Sequence, residues 1–409
     1  MSTDDACDVL VVGAGPAGSA LAAVLARVGQ DVTLIEARRH PRVKTCAEYA
    51  SPRIVEELAR LEVDTDAWRA TAQPLEGMRV ITGPDAFDVR YTDQRGRRPA
   101  WGLDRPSFDA LLATHAIRSG ARLAEHTHFE RALFDGGGGR RVVGAVVRDG
   151  IGTREIRSRW VIGADGARSR VARSLGVARP PRFVRRLGLI ARYEAAPELD
   201  GHGEMHVGDG WYVGLAPVPN GELNVGMALP MAATHGGGNG TTRAAAWTAE
   251  ARFEAAIAGL PAVAARLKGR RRLTRIRGAA PIGHRVTAPA GNGWLLIGDA
   301  AGFIDPFTGE GIYRALRSAR AAAEALAGGD RNGDTVAAYL RRRRAAFAGK
   351  DALTWLIQGM LAAPPVLAYA VRRLAQRPAV GATLGSALGD CRPASDALSP
   401  VALTHLLRP

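Results

Sequence analysis

Val9-Leu10-Val11-Val12-Gly13-Ala14-Gly15-Pro16-Ala17-Gly18 decides the fold. Cys7 to Val12 is a short apolar run, as expected of a strand buried on both faces of a parallel sheet. The glycines that follow have separate tasks. Gly13 allows a tight turn, Gly15 lets the backbone approach a pyrophosphate, and Gly18 lets a helix pack on the strand. With Pro16 and Ala17 they form a phosphate loop. Ser19 to Val28 reads as an Ala- and Leu-rich helix, whose N-terminus offers free N–H groups and a positive dipole end. Asp31 to Ile35 is the second strand. It ends at Glu36, beside Ala37 and Arg38, where a carboxylate can accept both hydroxyls of an adenosine ribose. An acid there repels a 2′-phosphate, so the site suits FAD or NAD rather than NADP.

Far downstream, Trp294-Leu295-Leu296-Ile297-Gly298 reads as another buried strand, with Asp299 at its carboxyl end, where open α/β sheets bind ligands. Asp305-Pro306-Phe307-Thr308-Gly309-Glu310-Gly311-Ile312 then opens a helix running to Ala327. Its N-terminus can set N–H donors against the pyrimidine ring of a flavin and stabilise negative charge there. Between the two ends, Arg159 to Gly163 is a strand into the turn Ala164-Asp165-Gly166. Phe129 to Phe134, Val142 to Arg148 and Thr153 to Arg157 read as a three-stranded meander, with turns at Asp135 to Gly139 and Asp149-Gly150.

These motifs, in this order over roughly residues 8 to 325, resemble the flavoprotein superfamily of p-hydroxybenzoate hydroxylase, flavin-dependent halogenases and geranylgeranyl reductases. The chain is most similar to the geranylgeranyl reductase group, through Pro41-Arg42-Val43-Lys44-Thr45-Cys46-Ala47-Glu48 and the segment Asp305 to Ile312. The resemblance implies an α/β fold: a Rossmann-like FAD-binding domain of the p-hydroxybenzoate hydroxylase (GR2) type, an antiparallel-sheet substrate domain and a helical C-terminal region. It implies that Lys44 and Cys46 lie by the flavin and that Arg105 contacts it, with Cys46 and Glu48 as the candidate acids. Trp211-Tyr212-Val213-Gly214-Leu215-Ala216-Pro217 stands where prenyl reductases carry Tyr-x-Trp-x-Phe-Pro. Trp211, Tyr212 and Phe307 are therefore the expected substrate contacts. Ala47 stands where relatives commonly have Gly.

The expected FAD domain is discontinuous, over 1–75, 100–180 and 281–330. Residues 76–99 and 181–280 supply the substrate domain, and 331–409 the helical region. Within the second, Met78 to Tyr91, Glu204 to Val207, Trp211 to Leu215 and Leu223 to Met227 read as strands. Ala232 to Thr242 reads as a mobile Gly-rich loop and Ala244 to Leu267 as helix. Thr335 to Ala348, Leu353 to Met360 and Val366 to Ala375 read as helices, the last two separated by Pro364-Pro365. They cap the core, or dock on a membrane surface beside Arg341 to Arg344.

Composition sets limits. The 55 Lys+Arg against 40 Asp+Glu give a formal charge of +15. A GC-rich coding bias toward Arg, an anionic membrane surface or an anionic substrate each account for it. No basic–aromatic interleave or recognition motif points to nucleic acid. No run of about 18 apolar residues suggests a membrane-spanning helix. The first strand begins within eight residues, which leaves no room for a signal peptide. Cys7, Cys46 and Cys391 are far apart and fit a reducing cytoplasm, with peripheral membrane contact as an option. His126 and His128 alternate on an expected strand, but no third ligand indicates a metal. His40, His206 and His284 are other candidate acids.

The expected activity is that of an oxidoreductase holding FAD noncovalently and passing hydride through flavin N5 to reduce or form a C=C bond. The expected substrate is small, bulky and apolar: an isoprenoid or a specialised-metabolite intermediate. One GxGxxG leaves no second nucleotide fold, so electrons are expected from NAD(P)H docking transiently or from an electron-donor protein. The alternatives are an FAD-dependent monooxygenase and a noncatalytic prenyl-binding escort.

Overall fold

The computed structural model describes residues 6–136, 141–181, 185–195, 199–231, 248–328, 332–400 and 404. The first strand, Ala6–Val12, pairs in parallel with Val32–Ile35 on one side and with Thr153–Gly163 on the other. Arg122–Ala124 extends one edge and Trp294–Leu296 joins Thr153–Gly163, both in parallel. Residues 153–157 and 159–163 are one strand rather than two. Its first half pairs antiparallel with Val142–Arg148 and its second half parallel with Ala6–Val12. Ile156 is buried in the first half, and Trp160, Val161 and Ile162 in the second, so both halves contribute to the core. The meander therefore grows out of the central sheet. His126 precedes it in a left-handed turn (φ 56°), so it shares no strand with His128.

The helix after the first turn is Pro16–Arg27, starting three residues before Ser19. Proline suits a first helical turn because its missing N–H has no partner to lose there. It packs on the helices Arg105–Arg118 and Gly311–Ala327.

A second sheet has seven strands, in the order Arg277–Ala279, Arg186–Glu194, Glu222–Pro230, Tyr212–Val218, Gly203–Val207, Met78–Thr82, Asp85–Val89. All neighbours are antiparallel except Gly203–Val207 with Met78–Thr82. Leu189, Val213 and Val225 on one face pack against Phe253, Ile257 and Val263. Those three come from two helices, Ala249–Ala258 and Pro261–Leu267, because Pro261 ends the expected single helix. The expected loop 232–242, residues 244–247 and most of the turn 135–139 lie outside the described residues.

Past residue 331, the two helices expected over 335–348 and 353–360 are one, Asn332–Leu361. It runs through Lys350 and Asp351 because both charges are met by Gly311–Ala327 and its cap. Lys350 Nζ lies 2.8 Å from Glu310, and Asp351 accepts from Arg314 at 2.6 Å. The chain then bends by 115° into Pro364–Gln376. Leu353, Ile357, Leu361, Leu367 and Val371 bury against Phe87 and Val89 of the second sheet and Tyr91 just beyond it. Among the described residues no single helix is long and apolar enough to cross a membrane.

Candidate functional site

A cavity of about 300 Å³ lies between the two sheets. One wall is mainly backbone: Gly15, Pro16 and Ala17, Ala164 to Arg168, Gly298 and Asp299, and Gly311 with Ile312. The facing wall belongs to the second sheet: Gly188, Ile190, Met205, Tyr212, Gly214, Gly226 and Met227. Lys44, Thr45, Cys46 and Ala47 close one side, with Arg105.

Gly13 has φ +103°, and a Cβ there would stand 2.7 Å from the Ala164 carbonyl. The turn is thus pressed against the strand end carrying Asp165. A Cβ on Gly18 would collide with the Gly13 carbonyl, so helix and strand meet without an intervening side chain. On the cavity side the backbone is open. At Gly15 the nearest atom to an added Cβ is Arg42 Nη2 at 3.7 Å, and at Gly311 there is none within 4 Å. Glu36 is buried and accepts from Ala14 N (3.1 Å), Arg38 N (3.1 Å) and Arg42 Nη2 (3.0 Å). Ala37 is half-buried and Arg38 exposed. Asp165 Oδ2 accepts from Arg170 N (2.6 Å) and Val171 N (3.2 Å), while the buried Oδ1 has no protein partner. Burial pushes its carboxyl above the usual range. Lys44 Nζ stands near Gly166, 3.4 Å from where a Cβ would be. Pro306 and Gly309 also line the cavity, beneath the helix start.

Glu310 corrects one expectation. Its side chain turns away from the cavity to Lys350 (2.8 Å), which also meets Asp390 (3.3 Å). Burial holds the Asp390 carboxyl up at about 7, with Lys350 pulling it down and Glu310 pushing it up. Glu48 corrects another. It is buried at φ 58°, with its carboxylate clamped by Arg192 at 2.7 and 3.0 Å, and it is absent from the cavity wall. Burial pushes that carboxyl up against the pull of Arg192. Cys46 does line the cavity, and its Sγ accepts from Arg105 Nη1 at 2.9 Å and from Glu48 N at 3.3 Å. Arg105 is itself fixed by Asp109 at 2.9 and 3.0 Å. Asp109 lies 3.7 Å from Arg42, which holds Glu36. One chain of charges thus joins the ribose-side acid to the cysteine.

In the second wall, register sets Ile190, Gly226, Gly214 and Met205 side by side on four neighbouring strands. Gly188 continues the same face beside Ile190. Ala47 lies over Gly226, 3.5 Å from where a Cβ would be, and Asn224 Nδ2 donates to the Cys46 carbonyl at 2.9 Å. The start of the strand at Tyr212 separates the expected aromatics. Tyr212 points into the cavity wall. Trp211 sits outside the strand, its ring against Gly208 and near Gly259. Phe307 stands behind Tyr212, edge-on at 5.1 Å between ring centres. The Tyr212 hydroxyl donates to Asp305 (2.6 Å), which pairs with Arg186 (2.6 Å), which donates to Gln358 (2.6 Å). Among the described residues no cluster of three His, Cys, Asp or Glu could hold a metal.

Arg42, Asp109, Arg186 and Arg192 are the residues that sequence reasoning missed. Arg186 and Arg192 alone carried a signal, arginine within an otherwise apolar strand segment.

An open backbone at Gly15 and Gly311, a buried ribose-side acid and the partnerless Asp165 Oδ1 together fit a flavin dinucleotide. Gly13, Gly15, Pro16, Ala17, Gly18 and Glu36 would hold its nucleotide end. Asp165, Gly166, Gly298, Asp299, Gly311 and Ile312 would hold the flavin end.

Comparison with known proteins agrees. The family described as "FAD binding domain" matches residues 6–350. The menaquinone reductase of Mycobacterium tuberculosis is 33% identical, over 80% of this chain and 78% of that protein. Digeranylgeranylglycerophospholipid reductase 1 of Methanopyrus kandleri is 32% identical, over 82% and 84%. A flavoprotein/dehydrogenase structure from Cytophaga hutchinsonii superposes with a TM-score of 0.81 at 24% identity, covering 98% of this chain and 96% of that one. The chain belongs to the geranylgeranyl reductase-like family of FAD-dependent oxidoreductases.

Proposed function

We propose that this flavoprotein delivers hydride to a bulky apolar substrate, an isoprenoid or a specialised-metabolite intermediate, and saturates a C=C bond. The observation that carries the reading is the second wall. Three glycines and the side chains Ile190 and Met205 leave an apolar slot facing the backbone-rich cofactor wall. The reductase names of both relatives support the reductive direction.

Bound FAD supplies a two-electron centre that takes up and delivers hydride. The helix N-terminus at Gly311 and Ile312 turns its dipole to the cavity and favours negative charge there. As hydride adds to one alkene carbon, Cys46 Sγ–H gives its proton to the other. The thiolate left behind is held by Arg105 Nη1, 2.9 Å away, and regains a proton from water. Glu48, clamped by Arg192, keeps the Cys46 segment in place. Electrons arrive from NAD(P)H docking transiently or from an electron-donor protein.

The test is a single turnover. FAD-loaded protein is reduced without oxygen and mixed with menaquinone or a geranylgeranyl lipid. Expected are flavin reoxidation and a product gaining two hydrogens per flavin. A product that forms only in air and gains oxygen would make the chain a monooxygenase. Unchanged turnover in Cys46→Ala would remove the acid role.

A further inference from the structure

The helix Asn332–Leu361 has an outer face unlike that of a soluble surface helix, which normally turns charge to water. Its exposed positions recur every three or four residues. From Ala345 to Gly359 every exposed residue is Ala, Gly, Trp or Leu. The pattern continues past the 115° bend through Ala362, Pro365, Val366 and Tyr369. Trp355 is 44% exposed, Leu356 37%, Val366 51% and Tyr369 38%. No charged side chain is exposed between Ala345 and Val371. Lys350 is buried, and Asp351, half-buried, pairs with Arg314. The inner face of the same helix is also apolar, through Leu353, Ile357 and Leu361.

Cations flank this strip. Arg341 and Arg344 are exposed one turn before it, and Arg372, paired with Asp85, follows it. An apolar strip beside arginines is complementary to an anionic lipid surface, where rings and methyls enter the headgroup zone and guanidiniums meet phosphates. A second copy of this chain would bring the same +15 charge, which disfavours it as the occupant.

The strip also lies close to the cavity. Gln358, on the inner face, holds Arg186, and Arg186 with Asp305 holds Tyr212 in the cavity wall. A helix with its side chains is about 10 Å across. The outer face is therefore about one helix thickness from the residues that back the slot.

We propose that residues 345–369 dock on the surface of an anionic phospholipid bilayer, with Trp355, Leu356, Val366 and Tyr369 in the headgroup region and Arg341 and Arg344 on lipid phosphates. The docking does not depend on the reaction proposed above and is measured without turnover.

The test is vesicle flotation of the FAD-loaded full chain. Vesicles of phosphatidylcholine with phosphatidylglycerol are compared with phosphatidylcholine alone. Binding to the mixed vesicles is expected, stronger at low salt. Trp355→Ser with Leu356→Ser should weaken it about tenfold at any salt. Arg341→Gln with Arg344→Gln should weaken it about tenfold at low salt only. Both variants change exposed residues, so flavin content and melting temperature should match the parent. No flotation of the parent overturns the proposal, as does parent-like binding by the Trp355/Leu356 variant. A parent dimer that Leu356→Ser dissociates would also overturn it and make this face a subunit interface.

Discussion

The two walls of the cavity are built in opposite ways. The cofactor wall presents backbone: turns at Gly15, Gly166, Gly298 and Gly311, with open space beside Gly15 and Gly311, where N–H groups would do the binding. The substrate wall presents a sheet face from which side chains have been removed, at Gly188, Gly214 and Gly226. The first wall is specific because a pyrophosphate and a ribose are always the same. The second is braced by buried charges, the Arg186–Asp305–Tyr212 and Arg192–Glu48 networks, as well as by the helices packed on its back. Binding a constant ligand calls for main chain, whereas binding a variable one calls for space with a braced back.

The comparison can be broken at its brace first. Arg186→Met leaves Asp305 buried without its cation, and losing one partner of a buried pair costs about 3–5 kcal/mol. Thermal unfolding should show a clear drop in melting temperature; a parent-like value would mean that the brace is dispensable. Next comes the cofactor wall. Glu36→Gln removes the charge from an acceptor that serves Ala14, Arg38 and Arg42, worth about 1.5–3 kcal/mol for bonds to a charged group. Flavin fluorescence titration should show FAD bound about 10- to 100-fold more weakly. Equal affinity would remove Glu36 from the nucleotide site.

A smaller effect separates the walls. Gly214→Phe puts a ring into the slot, where an added Cβ meets Met205 at 3.5 Å and the Gly226 carbonyl at 3.7 Å, both ordinary contact distances. FAD content should stay full while kcat/KM for a bulky substrate falls about tenfold. Loss of FAD instead would show that the walls are not independent. The smallest change in turnover is expected at Glu48→Gln, within about threefold of the parent, because that side chain faces Arg192 rather than the cavity. A collapse of turnover with an altered pH profile would return Glu48 to the chemistry.

The cofactor wall was legible in the sequence because its signals are local. Gly13, Gly15 and Gly18 act within one turn and helix, and Glu36 ends the very next strand. The FAD-binding fold follows from that local grammar together with the Gly298 to Ile312 segment. The strands of the substrate wall were legible, but its glycine face was not. Gly188, Gly214 and Gly226 meet only when three strands align in register, and of the two adjacent rings expected there Tyr212 faces the cavity while Trp211 does not. The brace is less local still, since Arg186 reaches 119 residues to Asp305 and 172 to Gln358. Helix Asn332–Leu361 reads as two because Lys350 and Asp351 look like a polar break until Glu310 and Arg314 are placed opposite them.

The glycine floor also sets a direction for evolutionary change. A residue that has already given up its side chain has nothing further to lose. Single substitutions at Gly188, Gly214 or Gly226 can therefore only make the slot shallower, each over a different strip. Descendants of such a sequence can specialise toward slimmer substrates in many small, separable steps. The return to breadth requires each of those steps to be undone.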